Sequence, residues 1–265
     1  MIIPGDKDTT VNFSINVNNE IAGALNSGSE VLEDIIILRL ENGRDYYITI
    51  KAKYGRSCFG MSVDELVLYN DPIRNVPLDP IKRVEKYGTD QTAVLCVPKE
   101  LWRMLDAIYA KGLHERDLFS ISGYKEEIDS IRECLDTSEP FGEFRIHSMV
   151  DALVSFLISL SSTIVPPNLL PNTNIEIDAQ NVQAYARSLL EGLPPIHYNV
   201  FVYMISFFRE CLLHKQQNQL TTVKLARLCV TCLVTGGRMD ESKQGAQRQK
   251  SMHLLMIHFL ESSSI

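Results

Sequence analysis

Cys229 and Cys232 are two residues apart, a spacing that serves either a zinc site or a reversible disulfide. Zinc would need a second pair of ligands. The only histidines further along, His253 and His258, diverge on a helix at i, i+5. A redox pair would need a strand leading into a helix, whereas LARLCVTCLV is one continuous apolar helical run. Packing is therefore the expectation for both thiols. His114, His147 and His197 fall near loops or helix ends and are read as solvated or capping, with no catalytic role. Gly236-Gly237 has no Lys-Ser/Thr after it, so it reads as a helix terminator and not a phosphate loop. No grouping of Asp, His and Asn is found that would hold a metal beside a scissile phosphate. Neither a metal nor a cofactor is expected.

Charge and composition narrow the partner classes. A net charge of −7 and a pI near 5.4 argue against nucleic acid and against a polybasic membrane anchor. With 45% hydrophobic and 22% charged residues, 265 residues can bury a real core as one large domain or two ordinary ones. No apolar run approaches the roughly 18 residues of a membrane span. The N-terminus, MIIPGDKDTT, lacks a charged segment followed by an apolar stretch, so no signal peptide is read. Six scattered cysteines do not form a secreted disulfide framework, and a cytoplasmic location is expected.

The periodicity changes along the chain. Val11, Phe13, Ile15 and Val17 alternate with polar residues, the period of a half-buried strand. EDIIILRL and RDYYITIKAKY flank Asn42-Gly43, the strongest short signal for a hairpin turn. Another turn cluster, LNSGSE, lies near Leu25. Several short strands with turns between them predict a small β-sandwich. From Val97 onward the period is helical. Leu101, Leu105 and Ile108 share a face, as do Ile128, Ile131 and Leu135, and Val150, Leu153 and Leu157. Long helices are predicted over roughly 195–215, 221–234 and 247–260. The polar stretch between the halves holds two prolines and a glycine, and the boundary is placed there.

Two stretches carry a resemblance. The segment DLFSISG, Asp117 to Gly123, lies between the amphipathic runs LWRMLDAIYAKGL and KEEIDSIRECLD. That order resembles the opening of a RhoGAP domain, the module that activates hydrolysis on Rho-family G proteins. Upstream, LEDI, the return strand after Gly43, and Ser57-Cys58-Phe59-Gly60 resemble the ASH domain of OCRL-type inositol polyphosphate 5-phosphatases. In that family an ASH domain is followed at once by a RhoGAP-like domain, and VPKELW, CLDTS and YNVFVYMISFFREC are also similar. The resemblance implies an immunoglobulin-like ASH β-sandwich over 1–78, a linker over 79–96, and an all-α RhoGAP-like domain over 97–265. The family's phosphatase domain is not read in these residues, which look like its C-terminal region.

The resemblance also implies what the module does. Working members carry an arginine in the Phe-x-x-Ser-Gly loop, and this chain has Ser120 at that place. Such an arginine is worth about 10³–10⁵ in rate. A serine hydroxyl has no charge and less reach. Val154 and Ile158 stand where working members have Lys and Arg, and Lys224-Leu225-Ala226 stands where they have Asn-Leu-Ala. The expectation is a non-catalytic platform for Rab and Rho-family GTPases and for short Phe/His amphipathic peptides of endocytic adaptors, recruited to endosomal membranes through those partners. The alternative is an active GTPase activator using a displaced arginine, with Arg116 the nearby candidate. The resemblance implies Trp102 as the peptide anchor, because the family has Trp at that place, with Leu105 and Ala152 as groove walls; Trp102 lies about 100° off Leu101, which suits an edge or surface position. A core position for each remains open at this point. Phe59 is either an exposed Rab contact or a buried sandwich phenylalanine.

Overall fold

The computed structural model describes residues 10–39, 43–89, 92–171, 177–238 and 242–262. The N-terminal part opens with helix α1 (Asn19–Ser27). The Asn18 side chain caps it by accepting from the Ile21 amide, and Gly28 ends it in the left-handed region. The LNSGSE cluster is this helix end. Strands β1 (Leu32–Leu38) and β2 (Tyr46–Ala52) pair antiparallel, from Leu32 opposite Ala52 to Leu38 opposite Tyr46. The predicted hairpin is therefore present, although Asn42 in its turn lies outside the described residues. The predicted β-sandwich is not seen, since among the described residues these are the only two strands. Residues 11–17 have the alternation of a strand without a partner to bury it, and Val11, Phe13 and Ile15 are exposed.

After β2 the chain turns inward. A short helix, α2 (Val63–Leu66), and a 3-10 turn at Ile73–Asn75 lead to α3 (Pro80–Tyr87). The region expected to be a linker thus contains a helix. Asp79 caps it, and Pro80 occupies the first helical position, where its missing N–H is not needed. The long helices follow the predicted stripes. In α4 (Lys99–Lys111), Leu101, Met104, Leu105 and Ile108 are buried; in α5 (Lys125–Thr137), Ile131 and Leu135 are. Helix α6 (Ile146–Ser159) packs against both. Next come α7 (Val182–Gly192), α8 (Pro195–Leu213), and the single turn α9 (Lys215–Asn218). Helix α10 (Thr222–Cys229) runs on into a π-helical segment, Val230–Thr235, which Gly236 closes with φ 57°. Helix α11 (Lys243–Glu261) packs on α10.

One apolar core runs from Cys58 to Leu260 and joins residues 58–76 to the helices. Asp136, near the end of α5 and 3% exposed, makes the polar join. Its carboxylate accepts from the Cys58 amide at 2.7 Å, from the Ser57 hydroxyl at 3.2 Å and from Arg74 Nη2 at 3.1 Å. Asn26 of α1 braces the same segment, accepting from the Ser57 amide at 3.1 Å and donating to the Phe59 carbonyl at 3.0 Å.

Glu100 lies nearby on α4. It is fully buried, and neither carboxylate oxygen has a hydrogen-bond partner among the described residues. Lys99 Nζ stands 3.8 Å away but donates to the carbonyls of Tyr69 and Asn70, at 3.1 Å each, and of Asp71. Burial pushes the Glu100 carboxyl up from 4.5 to about 7, against the opposing pull of Lys99.

Two predictions follow from these carboxylates. A folded pKa above the unfolded one means that the folded chain holds its proton while the unfolded chain has lost it. Stability should therefore fall as pH rises from about 4.5 to 7, by about 3 kcal/mol in all. Glu100→Gln should remove that slope, raising the urea midpoint at pH 8 far more than at pH 5; equal effects at both would refute the assignment. Asp136→Ala leaves the buried Cys58 amide without its acceptor and removes one of the two carboxylates that hold Arg74, Glu133 being the other, with an expected loss on the order of 3 kcal/mol. Asp136→Asn keeps one acceptor and should lose markedly less in the same urea titration.

Candidate functional site

The loop Asp117–Gly123 is held at both ends. Asp117 takes a left-handed conformation (φ 53°), and its amide donates to the Asn218 carbonyl at 3.1 Å. Asn218 is itself buried. Its side-chain amide donates to the carbonyls of Leu113 at 2.9 Å and Cys211 at 2.8 Å, and its side-chain oxygen accepts from the Leu220 amide at 2.9 Å. Leu118 is buried, and the Phe119 ring packs edge-on against Phe208 at 5.8 Å. At the far end Gly123 lies so close to α6 that an added Cβ would stand 2.5 Å from the Ser148 Cα. The Gly123 amide donates to Asp151 Oδ2 at 2.6 Å, and the Tyr124 amide donates to the Ser148 hydroxyl at 3.0 Å. Between these anchors Ser120 is exposed, with Ile121 and Tyr124 exposed beside it.

Arg116, the candidate for a displaced arginine, is turned toward the loop base. Its Nε stands 3.6 Å from Asp117 Oδ2, and its Nη2 reaches Gln219 Oε1 at 3.4 Å. Val154 and Ile158 are partly buried apolar residues of α6 packed against the core. Lys224 and Arg227 of α10 share a cleft with Ser120. Sequence reasoning met Lys224 only as a departure from a family pattern. Its i, i+3 spacing to Arg227 was the available signal.

The other site residues separate by burial. Trp102 is 52% exposed on the outer face of α4. At i, i+4 and i+7, Trp102, Asp106 and Tyr109 lie on one side of that helix. Tyr203 of α8 is close enough to Asp106 and Tyr109 to feel their charge: its hydroxyl is pushed up by burial and then by the Asp106 carboxylate, and the Tyr109 hydroxyl rises to about 12 from burial and then Tyr203. Leu105 and Ala152 are fully buried and so are core positions, not the walls of an open groove. Phe59 is 3% exposed and is corrected to a core residue. Gly60, at φ 85°, turns the chain just after Phe59, whose ring lies edge-on to Phe156 at 5.7 Å and under the Arg132 guanidinium at 4.1 Å.

His197 is also buried, contrary to the expectation of a solvated ring, with Nδ1 2.7 Å from the Ile164 carbonyl and Nε2 3.2 Å from Asp64 Oδ2. Cys229 and Cys232 are buried, and burial pushes both thiols up, Cys232 to about 12, which disfavours the thiolate that a metal or a redox step needs. Among the described residues no group of three His, Cys, Asp or Glu side chains is placed to hold a metal. No described helix is long and apolar enough to cross a membrane.

The comparisons with known proteins agree with this layout. A RhoGAP domain model matches residues 98–235, and the ASH domain model of the OCRL-like inositol polyphosphate 5-phosphatases matches residues 1–54. The chain is 29% identical over 260 residues to the type II inositol 1,4,5-trisphosphate 5-phosphatase of Mus musculus, which covers 94% of this chain and 26% of that protein. It thus spans about a quarter of that relative's length. Rho GTPase-activating protein 35 of Canis lupus familiaris is 25% identical over 152 residues, covering 53% of this chain and 10% of that protein. Among solved structures, human Rho GTPase activating protein 15 has a TM-score of 0.52 at 15% identity, covering 62% of this chain and 84% of that one. The BH domain of GRAF, the GTPase regulator associated with focal adhesion kinase, gives 0.52 at 15%, covering 60% and 88%. These structures share the helical fold. Because the helical match takes in just over half of its residues, the chain belongs to the RhoGAP domain family, with an OCRL-like ASH segment ahead of the helices.

Proposed function

We propose that this chain is a non-catalytic docking module of a phosphoinositide 5-phosphatase. It binds Rab and Rho-type GTPases and short amphipathic peptides carrying a Phe and a His, and so brings the phosphatase to endosomal and endocytic membranes. The observation that carries this reading is the loop tip. A segment anchored by Asn218, Leu118, Phe119 and Asp151 presents Ser120, Ile121 and Ser122 to solvent, and none of the three carries a charge. Rigid presentation favours docking, while a neutral hydroxyl cannot neutralise a developing phosphoryl charge. Arg116 is engaged with Asp117 and Gln219, which weighs against a displaced finger.

The peptide half of the reading rests on Trp102. An exposed indole on the same side of α4 as Tyr109 offers an apolar seat for one face of a helix, and the Asp106 carboxylate on that side complements a protonated histidine.

Two measurements test the proposal. In single-turnover assays with Rho-type GTPases the chain should leave GTP hydrolysis within a few-fold of the intrinsic rate, and acceleration beyond about a hundredfold would overturn the non-catalytic reading. Calorimetric titration with a Phe/His amphipathic peptide should show binding that Trp102→Ala weakens by about thirtyfold, the size of an aromatic hot spot. Unchanged affinity in the variant, or no binding to the parent chain, would remove the groove.

A further inference from the structure

His197 stands where three pieces of the chain meet. It belongs to the first turn of α8, and α2 packs against that helix. The residue is 4% exposed. Its Nδ1 faces the Ile164 carbonyl at 2.7 Å, and its Nε2 faces Asp64 Oδ2 at 3.2 Å. A neutral imidazole has one N–H and one lone pair. Here both nitrogens look onto oxygens that accept, a carbonyl on one side and a carboxylate on the other. Both contacts are hydrogen bonds only when the pair holds one proton more than a neutral ring beside an ionised carboxylate. Without that proton, a lone pair on the buried ring faces a lone pair on oxygen.

No second charge competes for the ring. Among the described residues, Asp64 is the one charged side chain within ion-pair distance of it. Beside it on α2, Glu65 is engaged by Arg56 and Arg83. Residues 159–171, which carry Ile164, hold no Asp, Glu, Lys or Arg. On α8 the next charged residue after His197 is Arg209, and it donates to the Ser262 carbonyl. Arg187 and Glu191 of α7 pair with each other at 3.6 Å.

The pair holds a seam of the fold. Val63 and Leu66 of α2 are buried in the common core. The Leu66 and Val67 amides donate to the Ser62 and Val63 carbonyls at 3.0 and 3.2 Å. The Val67 carbonyl accepts in turn from the Val94 and Leu95 amides at 3.0 and 3.1 Å, so the approach to α4 hangs from α2. Asp64 also lines a cleft of about 680 Å³ between α2 and α3, which gives its side chain room to swing once the ring lets go.

We infer that His197 and Asp64 form a proton-dependent clasp: with the proton α2 is locked to α8, and without it α2 opens locally while the helical bundle stays folded. An imidazole is the side chain that changes charge between about pH 5 and 8. The closed clasp binds a proton that the separated groups of an opened chain give up, so it is shut on the acid side and opens as pH rises.

The test uses the whole chain with nitrogen-15 in its histidines. At about pH 6 both ring nitrogens of His197 should carry hydrogen, and by about pH 9 one should not. A ring with a single hydrogen at the lower value, or with two at the higher, overturns the clasp. Hydrogen exchange reads the opening itself. Between the same two values, corrected for the intrinsic rate, the Leu66 and Val67 amides should lose about tenfold more protection than the core amides of α11, the worth of one charge-assisted hydrogen bond. The α11 amides report global unfolding and so carry the Glu100 slope. Equal losses at both places would overturn the inference. Asp64→Asn supplies, in its side-chain amide, the hydrogen that Nε2 needs, with no proton taken from solvent. In that variant the His197 ring should keep a single hydrogen throughout, and the protection of α2 relative to α11 should not change with pH. A pH dependence like the parent's in Asp64→Asn would also overturn the inference.

Discussion

The carboxylate of Asp136 is where the two parts of this chain become one body. A carboxylate taken out of water needs donors, and Asp136 finds them in the Cys58 amide, the Ser57 hydroxyl and Arg74. All three come from the segment that follows the β-hairpin, and the acceptor comes from α5. Because that join is satisfied, Cys58, Phe59 and Met61 can enter the same core as α4, α5 and α6. Burial raises the Asp136 carboxyl and these hydrogen bonds pull it back down, so the join is a balance between desolvation and donors.

Glu100 shows the same physics without the compensation. It shares the neighbourhood of Cys58 and Asp136, yet both its oxygens lack donors among the described residues, and Lys99 is spent on backbone carbonyls. A buried carboxyl in that state holds its proton near neutrality. The adjoining pair of carboxylates thus differs in kind, one fixed by partners and one governed by solvent acidity.

The helical architecture was legible in the sequence because its signal is local. The Leu101, Leu105 and Ile108 stripe and the 100° offset of Trp102 both survive in α4, with the stripe buried and the indole open. What was not legible depends on distant partners or on backbone signs. Phe59 could not be placed without knowing that Gly60 turns left-handed and that Phe156, almost a hundred residues on, waits beneath it. Asp136 looks like any helix-end acid until Ser57 arrives. Helix α3 was hidden because Pro80 reads as a breaker unless it is recognised as an opener. The β-sandwich is the expectation from several short strands with turns between them and from the ASH resemblance, but the alternation in residues 11–17 states only which side would be buried without supplying anything to bury it. The meeting of Ser120 with Lys224 and Arg227 joins residues about a hundred positions apart, where only the fold can bring them together.

Asn218 gives the loop a mechanical property of its own. One buried amide clasps Leu113, Cys211 and Leu220, and its backbone carbonyl also holds Asp117. The stem of the loop, the end of α8 and the approach to α10 are therefore a single splint. The serine at the tip and the cations across from it keep a fixed gauge between them, so whatever seats against one must accept the other at a spacing it did not choose.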